Sequence, residues 1–221
     1  ARAIHGWVSL NGTRYLAFGT DRKLYVYTEG VTYDITPIRE TKVLTNPFTT
    51  ASGNATVTVA DTAHGALLGA FVTYTGASPV DSLDFNQEFE IQSIVNTAAY
   101  TIAFTDGSTA SGTTAGGGGT VTANYQINTG PELSEFGYGW GTATWGGSTW
   151  GSPRTTSNAT IEARQWSLDN FGEDLIATVL NGGTFKWDLS AGVGTRAVAV
   201  PNAPTLSRFN LVSTPDRHLL L

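Results

Sequence analysis

The chain of 221 residues lacks cysteine and methionine altogether and is poor in charge. Without cysteine it has no disulfide, no thiolate nucleophile and no Cys-ligated zinc site. Charged residues make up 14% of it, against about 25% in a typical globular protein. The formal net charge of -6 disfavours a nucleic-acid-binding protein, which usually carries a basic patch. No stretch reaches about 18 consecutive apolar residues, the length that would predict a membrane-spanning helix.

Glycine, threonine, serine and asparagine take the place of the missing charge, with 26 glycines in all. Abundant Thr and Val with few Lys and Glu favours β-strands over helices, so we predict an all-β protein. Position 1 is not Met, and the final residues, "PDRHLLL", have the character of a strand interior. We therefore expect an internal piece of a longer polypeptide.

Two parts of the chain, 1–42 and 161–221, share a pattern of short β-prone runs separated by turn residues. This pattern predicts antiparallel meanders, with a third copy beginning at 209–221. Repeats of roughly 40 to 50 residues, each a small meander, are typical of β-propeller blades. The runs that correspond are "YLAFG" with "DLIATV" and "KLYVYT" with "TFKWDL". The aromatic residues predicted to form the propeller core are Trp7, Tyr27, Trp166 and Trp187.

Residues 43–130 have a different sequence pattern. Five runs there alternate apolar and polar residues with period two, which predicts a small β-barrel or β-sandwich inserted into a blade. The runs are "ATVTVAD", "AFVTYTG", "FEIQSIV", "YTIAF" and "TVTANYQI". Residues 131–160 then form a Gly/Trp-rich connecting segment before the meander pattern returns at 161–221.

Catalytic and metal-binding patterns are weak in this sequence. The three histidines, His5, His64 and His218, match no catalytic or metal-ligand motif. Three acidic residues lie in "LDNFGED" of the second meander: Asp169, Glu173 and Asp174. A glycosidase uses a pair of carboxylates, and these are the candidates for one. The corresponding positions in the other copies are predicted turns, which favours a structural role. A calcium loop at Asp81, Asp84 and Glu88 lacks the glycine of an EF-hand. We predict no enzyme activity, no catalytic residue, no cofactor and no metal.

The stretch "GYGWGTATWGGSTWGS" (137–152) holds half of the six tryptophans on a glycine-rich backbone. Trp140, Trp145 and Trp150 lie five residues apart, with Tyr138 beside them. Tryptophan supplies a large buried area at subunit interfaces, so packing within the protein or against another subunit is the favoured interpretation. The alternatives are a glycan-binding surface, with Tyr138 and Thr149 as polar neighbours, and membrane contact, for which nearby basic residues are missing.

Four sequence segments together resemble the nozzle, or tail tubular, proteins of short-tailed bacteriophages. They are "LAFGTDRKLYVYTEGVTYDITPIR", "TVADTAHGALLGAFVTYTGA", "GYGWGTATWGGSTWG" and "RQWSLDNFGEDLIATVLNGGTFKWD". The resemblance implies a propeller-rich virion structural protein of the phage tail, without enzyme activity, that forms a homohexameric ring around the DNA channel. It also implies contacts with adaptor and fibre proteins, and passage of phage DNA without specific binding. The other reading is an adhesin or receptor-binding module that holds a host surface glycan.

Overall fold

The computed structural model describes residues 1–130, 132–134, 162–213 and 215–221. Regular structure in this part is almost all β-strand, in several antiparallel sheets of which none closes into a barrel, and the predicted all-β class is confirmed. Among the described residues there is no helix long and apolar enough to cross a membrane. The chain divides into two compact units: the meander unit (Ala1–Ile35 with Thr129–Leu221) and the inserted unit (Thr36–Asn128).

The meander unit begins with a four-stranded antiparallel sheet, the first meander, in which each strand pairs with the next. Its strands are β1 (Ala3–Val8), β2 (Arg14–Gly19), β3 (Leu24–Thr28) and β4 (Val31–Asp34). The turn from β3 to β4 consists of Glu29 and Gly30, which both have positive φ, at 50° and 86°. A two-residue hairpin turn of type I′ requires this of both residues, so the turn residues after "YVYT" fix the pairing of β3 with β4.

The inserted unit contains all five predicted strands and three further ones. They are β5 (Ile38–Leu44), β6 (Phe48–Thr49), β7 (Thr56–Ala60), β8 (Phe71–Thr75), β9 (Glu88–Asn96), β10 (Ala99–Ala103), β11 (Ala115–Gly116) and β12 (Val121–Gln126). They form one antiparallel sheet in the order β11-β6-β7-β10-β9-β8-β12-β5. The first part of β9 pairs with β8 and its later part with β10. Strand β9 therefore belongs to both halves of the sheet.

The two halves of this sheet enclose one core, which makes the unit sandwich-like. Apolar side chains of both halves belong to the same buried cluster. For example, the Phe48 ring from β6 lies against Tyr74 from β8, with ring centroids 5.0 Å apart, and stacks on Phe85 at 3.8 Å. Period-two alternation explains this core, because one side chain in two on each strand points inward.

The start of the inserted unit differs from the predicted boundary at residue 43. Strand β5 pairs along its whole length with β12, from Ile38 opposite Gln126 to Leu44 opposite Val121. Residues 36–42 therefore belong to the inserted unit and not to the first meander. The partner strand lies about 80 positions further along the chain, so the neighbouring sequence carries no sign of this pairing. Of the predicted connecting segment 131–160, the structure describes only residues 132–134.

A second four-stranded meander follows, again with each strand pairing with the next. Its strands are β13 (Trp166–Phe171), β14 (Asp174–Val179), β15 (Thr184–Trp187) and β16 (Val198–Ala199), and a short 3₁₀ helix (Leu189–Ala191) lies between the last two. The final pair, β17 (Leu211–Val212) and β18 (Leu219–Leu220), forms a separate antiparallel hairpin, which we call the end hairpin.

These three sheets stack in the order of the sequence. Strand β13, the first of the second meander, contacts β1 and also β17. One face of the second meander lies against the first meander, while Ser167 and Asp169 on the opposite face bond to Asn210 and Val212 of the end hairpin segment. The consecutive sheets therefore contact one another through their first strands. The two meanders approach each other closely at Gly19, where an added Cβ would lie 2.2 Å from Cδ1 of Trp166.

Candidate functional site

The predicted interaction residues Tyr138, Trp140, Trp145 and Trp150 lie outside the described residues. The site that can be built from the structure therefore consists of the aromatic contacts between the sheets of the meander unit, the surfaces at the two ends of that stack, and the polar network of the inserted unit.

Three of the four predicted propeller-core residues are buried between the two meanders. Trp187 is fully buried, and its ring lies edge-on to Trp7, with centroids 6.1 Å apart. The Trp7 Nε1 donates to the carbonyl of Glu173 at 3.0 Å, and the Trp166 Nε1 donates to the carbonyl of Thr20 at 2.9 Å. Each meander thus extends an indole that hydrogen-bonds to the backbone of the other, which ties the two sheets together.

Tyr27 is the exception, and its prediction as a core residue is wrong. Its side chain is 42% exposed, whereas Leu24, Val26 and Thr28 on the same strand are buried. Because side chains alternate across a strand, Tyr27 belongs to the opposite face of the first meander. No other sheet in the described part of the meander unit lies against that face. Tyr15 is buried with the indoles instead, stacked on Trp7 at 5.4 Å.

The histidines occupy structural or exposed positions. His64 is buried; its Nε2 lies 2.9 Å from the carbonyl oxygen of Asn96, and its Nδ1 accepts the backbone N–H of Ala66. The first bond holds the 61–70 loop against the end of β9, and the second lies within the loop. His5 contacts the side-chain oxygen of Asn170 across the meander interface at 3.0 Å, and His218 is exposed.

The carboxylates weighed as a glycosidase pair are each bound to the backbone of the protein. Asp169 accepts the N–H of Val212 at 2.7 Å, Asp174 accepts the N–H of Leu189 at 3.0 Å, and Glu173 accepts the N–H of Leu10 at 2.7 Å. Asp174 also pairs with Lys186 at 2.8 Å, and this hydrogen bond raises the pKa of Lys186. The three carboxylates therefore join segments of the meander unit.

The acidic residues weighed as a calcium loop also act locally. Asp81 accepts hydroxyl groups from Thr50 and Thr114, at 2.5 and 3.2 Å, which fastens β6 and β11 to the 80–84 turn. Asp84 accepts the backbone and side-chain N–H groups of Asn86, and these bonds lower the pKa of Asp84. Within the described ranges, no group of three or more His, Asp or Glu converges as a metal site would.

A chain of buried hydroxyl groups crosses the core of the inserted unit, and sequence reasoning missed it. Tyr125 donates to Asp61 Oδ2 at 2.5 Å, Tyr100 and Tyr125 hydroxyls lie 2.7 Å apart, and Tyr74 and Tyr100 hydroxyls lie 2.5 Å apart. A tyrosine hydroxyl has one proton to donate. Since Tyr125 donates to Asp61, Tyr100 donates to Tyr125 and Tyr74 donates to Tyr100. The three dipoles all point toward the carboxylate.

Lys42 completes this network from the edge strand β5. Its ammonium donates to Asp61 Oδ1 at 3.1 Å and to the carbonyls of Thr62 and Ala63 at 3.1 and 3.0 Å. Nearby, Arg39 donates to the carbonyl of His64 at 2.8 Å. These side chains connect the open edge of the sheet to the loop after β7 without backbone pairing. The network joins strands β5, β7, β8, β10 and β12, so its chemistry is that of a structural clamp.

Alkaline pH is expected to destabilise the inserted unit. Burial, the main cause, raises the pKa of Tyr100 to about 12. It also raises the pKa values of Tyr74 and Tyr125. These phenols stay neutral in the fold but ionise near pH 10 in the unfolded chain. Their stability contribution is thus complete below about pH 10 and lost as pH rises through the folded pKa.

We expect the urea midpoint of this unit to fall between pH 9.5 and about 11.5, because its free energy of unfolding declines by up to about 1.4 kcal/mol per pH unit for each buried phenol. Tyr74→Phe should flatten this decline. Absorbance at 295 nm reports tyrosinate directly. A midpoint that does not change while the exposed tyrosines ionise would contradict the assignment.

No protein-family model matches the sequence, and no curated protein matches it. Among solved structures, the Phage phi92 endosialidase is similar with a TM-score of 0.37 and 13% sequence identity. The similarity covers 90% of this chain and 30% of that protein's chain. This is a weak structural likeness to a phage protein, at a level that does not establish a shared family.

Proposed function

We propose that this chain is a non-enzymatic structural part of a bacteriophage tail, located in the virion. In the finer form of the proposal it contributes to an oligomeric nozzle or tube, a homohexameric ring through which DNA passes at infection. The stack of the two meanders and the end hairpin is the observation that carries the proposal, because stacked sheets of this kind are rigid and extend by repetition. The sequence segments that resemble tail nozzle proteins support the same function.

Two further observations are consistent with a conduit. The net charge of -6 would repel the phosphates of passing DNA, so that the polymer slides without sticking. The carboxylates of the second meander, Asp169 and Asp174, bind backbone N–H groups, which supports a structural role. The proposed partners are further copies of this chain, adaptor and fibre proteins of the tail, and phage DNA without specific binding.

The proposal is tested first on virions. A purified antibody against the protein, used for immunogold electron microscopy of the phage that encodes it, should label the tail. Labelling of capsids alone, or of no virion structure, would refute the tail assignment. Hydrolysis assays on polysaccharides with the wild type and with Asp169→Asn and Asp174→Asn test the non-enzymatic claim, since turnover that these variants lose would contradict it.

Substitutions in the tryptophan stretch distinguish the structural tail protein from the glycan-binding module. We expect the variant with Trp140, Trp145 and Trp150 all changed to Ala to stay folded and to lose self-association in light scattering, because a few large side chains such as tryptophan carry most of the binding energy of an interface. If both proteins have the same mass, and the wild type alone binds a component of a glycan array, the stretch is a glycan-binding surface and the protein is a receptor-binding module.

A further inference from the structure

The loop between β7 and β8 is fastened to the inserted unit by backbone bonds at both of its ends. Near its start, the Ala63 N–H donates to the Thr97 carbonyl at 2.8 Å. Near its end, the Gly69 N–H donates to the Ile91 carbonyl at 2.9 Å. The residues between these two anchors, 64–68, belong to no strand, so their position depends on other contacts. We call residues 64–68 the central segment of the loop.

The His64 side chain holds the central segment in the core. It is 2% exposed, and both of its ring nitrogens have partners. The Nε2 lies 2.9 Å from the Asn96 carbonyl oxygen, and the Ala66 N–H donates to Nδ1 at 3.0 Å. Because a carbonyl only accepts and an N–H only donates, Nε2 carries the ring proton and Nδ1 carries none. The contacts therefore select the neutral imidazole in one tautomer.

Protonation of this ring would remove one of its two bonds. In the imidazolium both ring nitrogens are donors, so the proton on Nδ1 would point at the Ala66 N–H, which is a donor as well. Ala66 is only 7% exposed, so little water reaches the site to replace the lost partner. A buried charge beside an unpaired donor is costly. The closed loop therefore has no place for a second proton on the ring.

The charged groups around His64 do not compensate for an added positive charge. The Arg39 guanidinium donates to the carbonyl of His64 itself at 2.8 Å. Asp61, the acidic residue of this loop, already bonds Lys42 with one oxygen and Tyr125 with the other. The titratable side chains on the strands that face the loop are Arg39, Glu40 and Lys42 on β5, Glu90 on β9, Tyr100 on β10 and Tyr125 on β12.

The two acidic side chains of that set are placed away from the ring's unpaired side. Glu40 pairs with Arg39 at 3.3 Å. Glu90 lies at the far end of the loop, where its Oε1 would be 3.7 Å from a Cβ on Gly69. Protonation of His64 would thus add positive charge to a site that already contains a guanidinium.

We propose that the central segment is an acid-sensitive switch: protonation of His64 releases residues 64–68 from the core of the inserted unit, while the anchors at Ala63 and Gly69 stay bonded. Gly65 and Gly69 both have positive φ, at 56° and 76°, a conformation that favours glycine, and they supply two hinge points. Release would admit water to the Tyr100 ring, which His64 contacts edge-on with centroids 5.0 Å apart.

The direction of the pH dependence follows from proton binding. In the released segment a solvated histidine binds a proton below about pH 6.5, whereas the closed loop holds the neutral ring. The closed loop is therefore fully favoured above that pH. Each further pH unit of acidification favours release by about tenfold, the dependence of one proton. All of these contacts lie within the inserted unit, so the switch does not depend on the tail assignment.

Amide hydrogen exchange of the whole chain, from about pH 8 to about pH 5, tests the switch. The protection of the Ala66 amide, relative to an unstructured peptide at the same pH, should fall by about tenfold for each pH unit below about 6.5. The amide of Ile102, which pairs with Val57 in the middle of the sheet, should keep its protection, because only the central segment moves.

His64→Gln is the informative variant. Glutamine has one acceptor oxygen and a donor amide group but does not titrate, so protection of the Ala66 amide in this variant should not fall at acid pH. His5→Gln is the matched control. His5 lies in the meander unit, where it contacts Asn170, so this variant should show the same decline at Ala66 as the wild type.

Nitrogen NMR of the wild-type imidazole reads the ring directly and decides the question even if His64→Gln does not fold. The spectrum should show the Nε2–H tautomer at about pH 8, and protonation should coincide with the loss of protection at Ala66. Three results would overturn the inference: an imidazolium that forms while Ala66 stays protected, constant protection down to about pH 5, or an equal decline in a folded His64→Gln variant. Simultaneous loss of protection at Ile102 would indicate unfolding of the whole unit and would also overturn it.

Discussion

Replacing Asp61 by alanine is expected to lower the free energy of unfolding of the inserted unit by about 3 to 5 kcal/mol, the cost of breaking a buried ion pair. Its side chain is only 3% exposed and holds Lys42 on one oxygen and Tyr125 on the other. Without it, the Lys42 ammonium keeps only the Glu40 carboxylate, at 3.8 Å, and the Tyr125 hydroxyl loses its acceptor inside the core.

The measurement is urea denaturation with two signals from one sample. All six tryptophans lie outside residues 36–128, so tryptophan fluorescence reports the meander unit. Five of the eight tyrosines also lie outside that range, so the second signal is amide hydrogen exchange of strands β5 to β12 at increasing urea, which reports the inserted unit by itself. Only the protection of the inserted unit should decrease. Asp106→Ala, which removes an exposed carboxylate bonded to Ser108, is the matched control and should change stability by much less.

A double variant separates the ion pair from simple packing. Asp61→Leu combined with Lys42→Met removes both charges, and it should be less destabilising than Asp61→Ala, because no unpaired charge remains. If the double variant is the worse of the two, the two sites act independently and the clamp described above is not the source of stability.

Replacing Trp187 by alanine is expected to destabilise the meander unit by about 3 to 5 kcal/mol, the usual cost of removing a large buried aromatic side chain. The indole has no exposed surface, and it packs edge-on to Trp7 and tilted against Tyr15. The cavity would lie at the centre of the contact between the two meanders, so the sheets should separate at lower denaturant concentration.

Trp187→Phe is the informative comparison for this position. Within the part of the chain that the structure describes, the buried Nε1 of Trp187 has no hydrogen-bond partner. Phenylalanine removes that unsatisfied donor while retaining an aromatic ring, so we expect it to cost less than about half as much as alanine. Fluorescence of the remaining tryptophans follows both transitions. Equal losses for the two variants would mean that the ring does not fill the site as described.

The sequence predicted the strands well because their information is local. Period-two alternation marked all five principal strands of the inserted unit, and short apolar runs separated by turn residues marked the paired meander strands. Position in a repeat also predicted the burial of Trp7, Trp166 and Trp187. The boundary at residue 43 was less accurate, because β5 depends on a partner strand about 80 residues away.

The polar network of the inserted unit could not be predicted from the sequence, for a different reason. Tyr74, Tyr100, Tyr125 and Asp61 lie on separate strands, and each looks like an ordinary alternating residue or turn residue in its own segment. Only a folded sheet brings their oxygens within 2.7 Å of one another. Nothing in the local sequence gives the order of these hydroxyl groups or the lysine at the end.

What the sequence determined by itself was the β-strand content, the meander repeats and the absence of cysteine chemistry, since each of these follows from residue type and local spacing. The tertiary structure alone determined whether Tyr27 and Trp187 are buried. These two residues occupy corresponding positions, and both were predicted to be core residues. Trp187 is fully buried and Tyr27 is 42% exposed, because the first meander covers the face of Trp187 and no other described sheet of the meander unit covers the face of Tyr27. Burial depends on what stands opposite a side chain, and residues distant in the chain supply it.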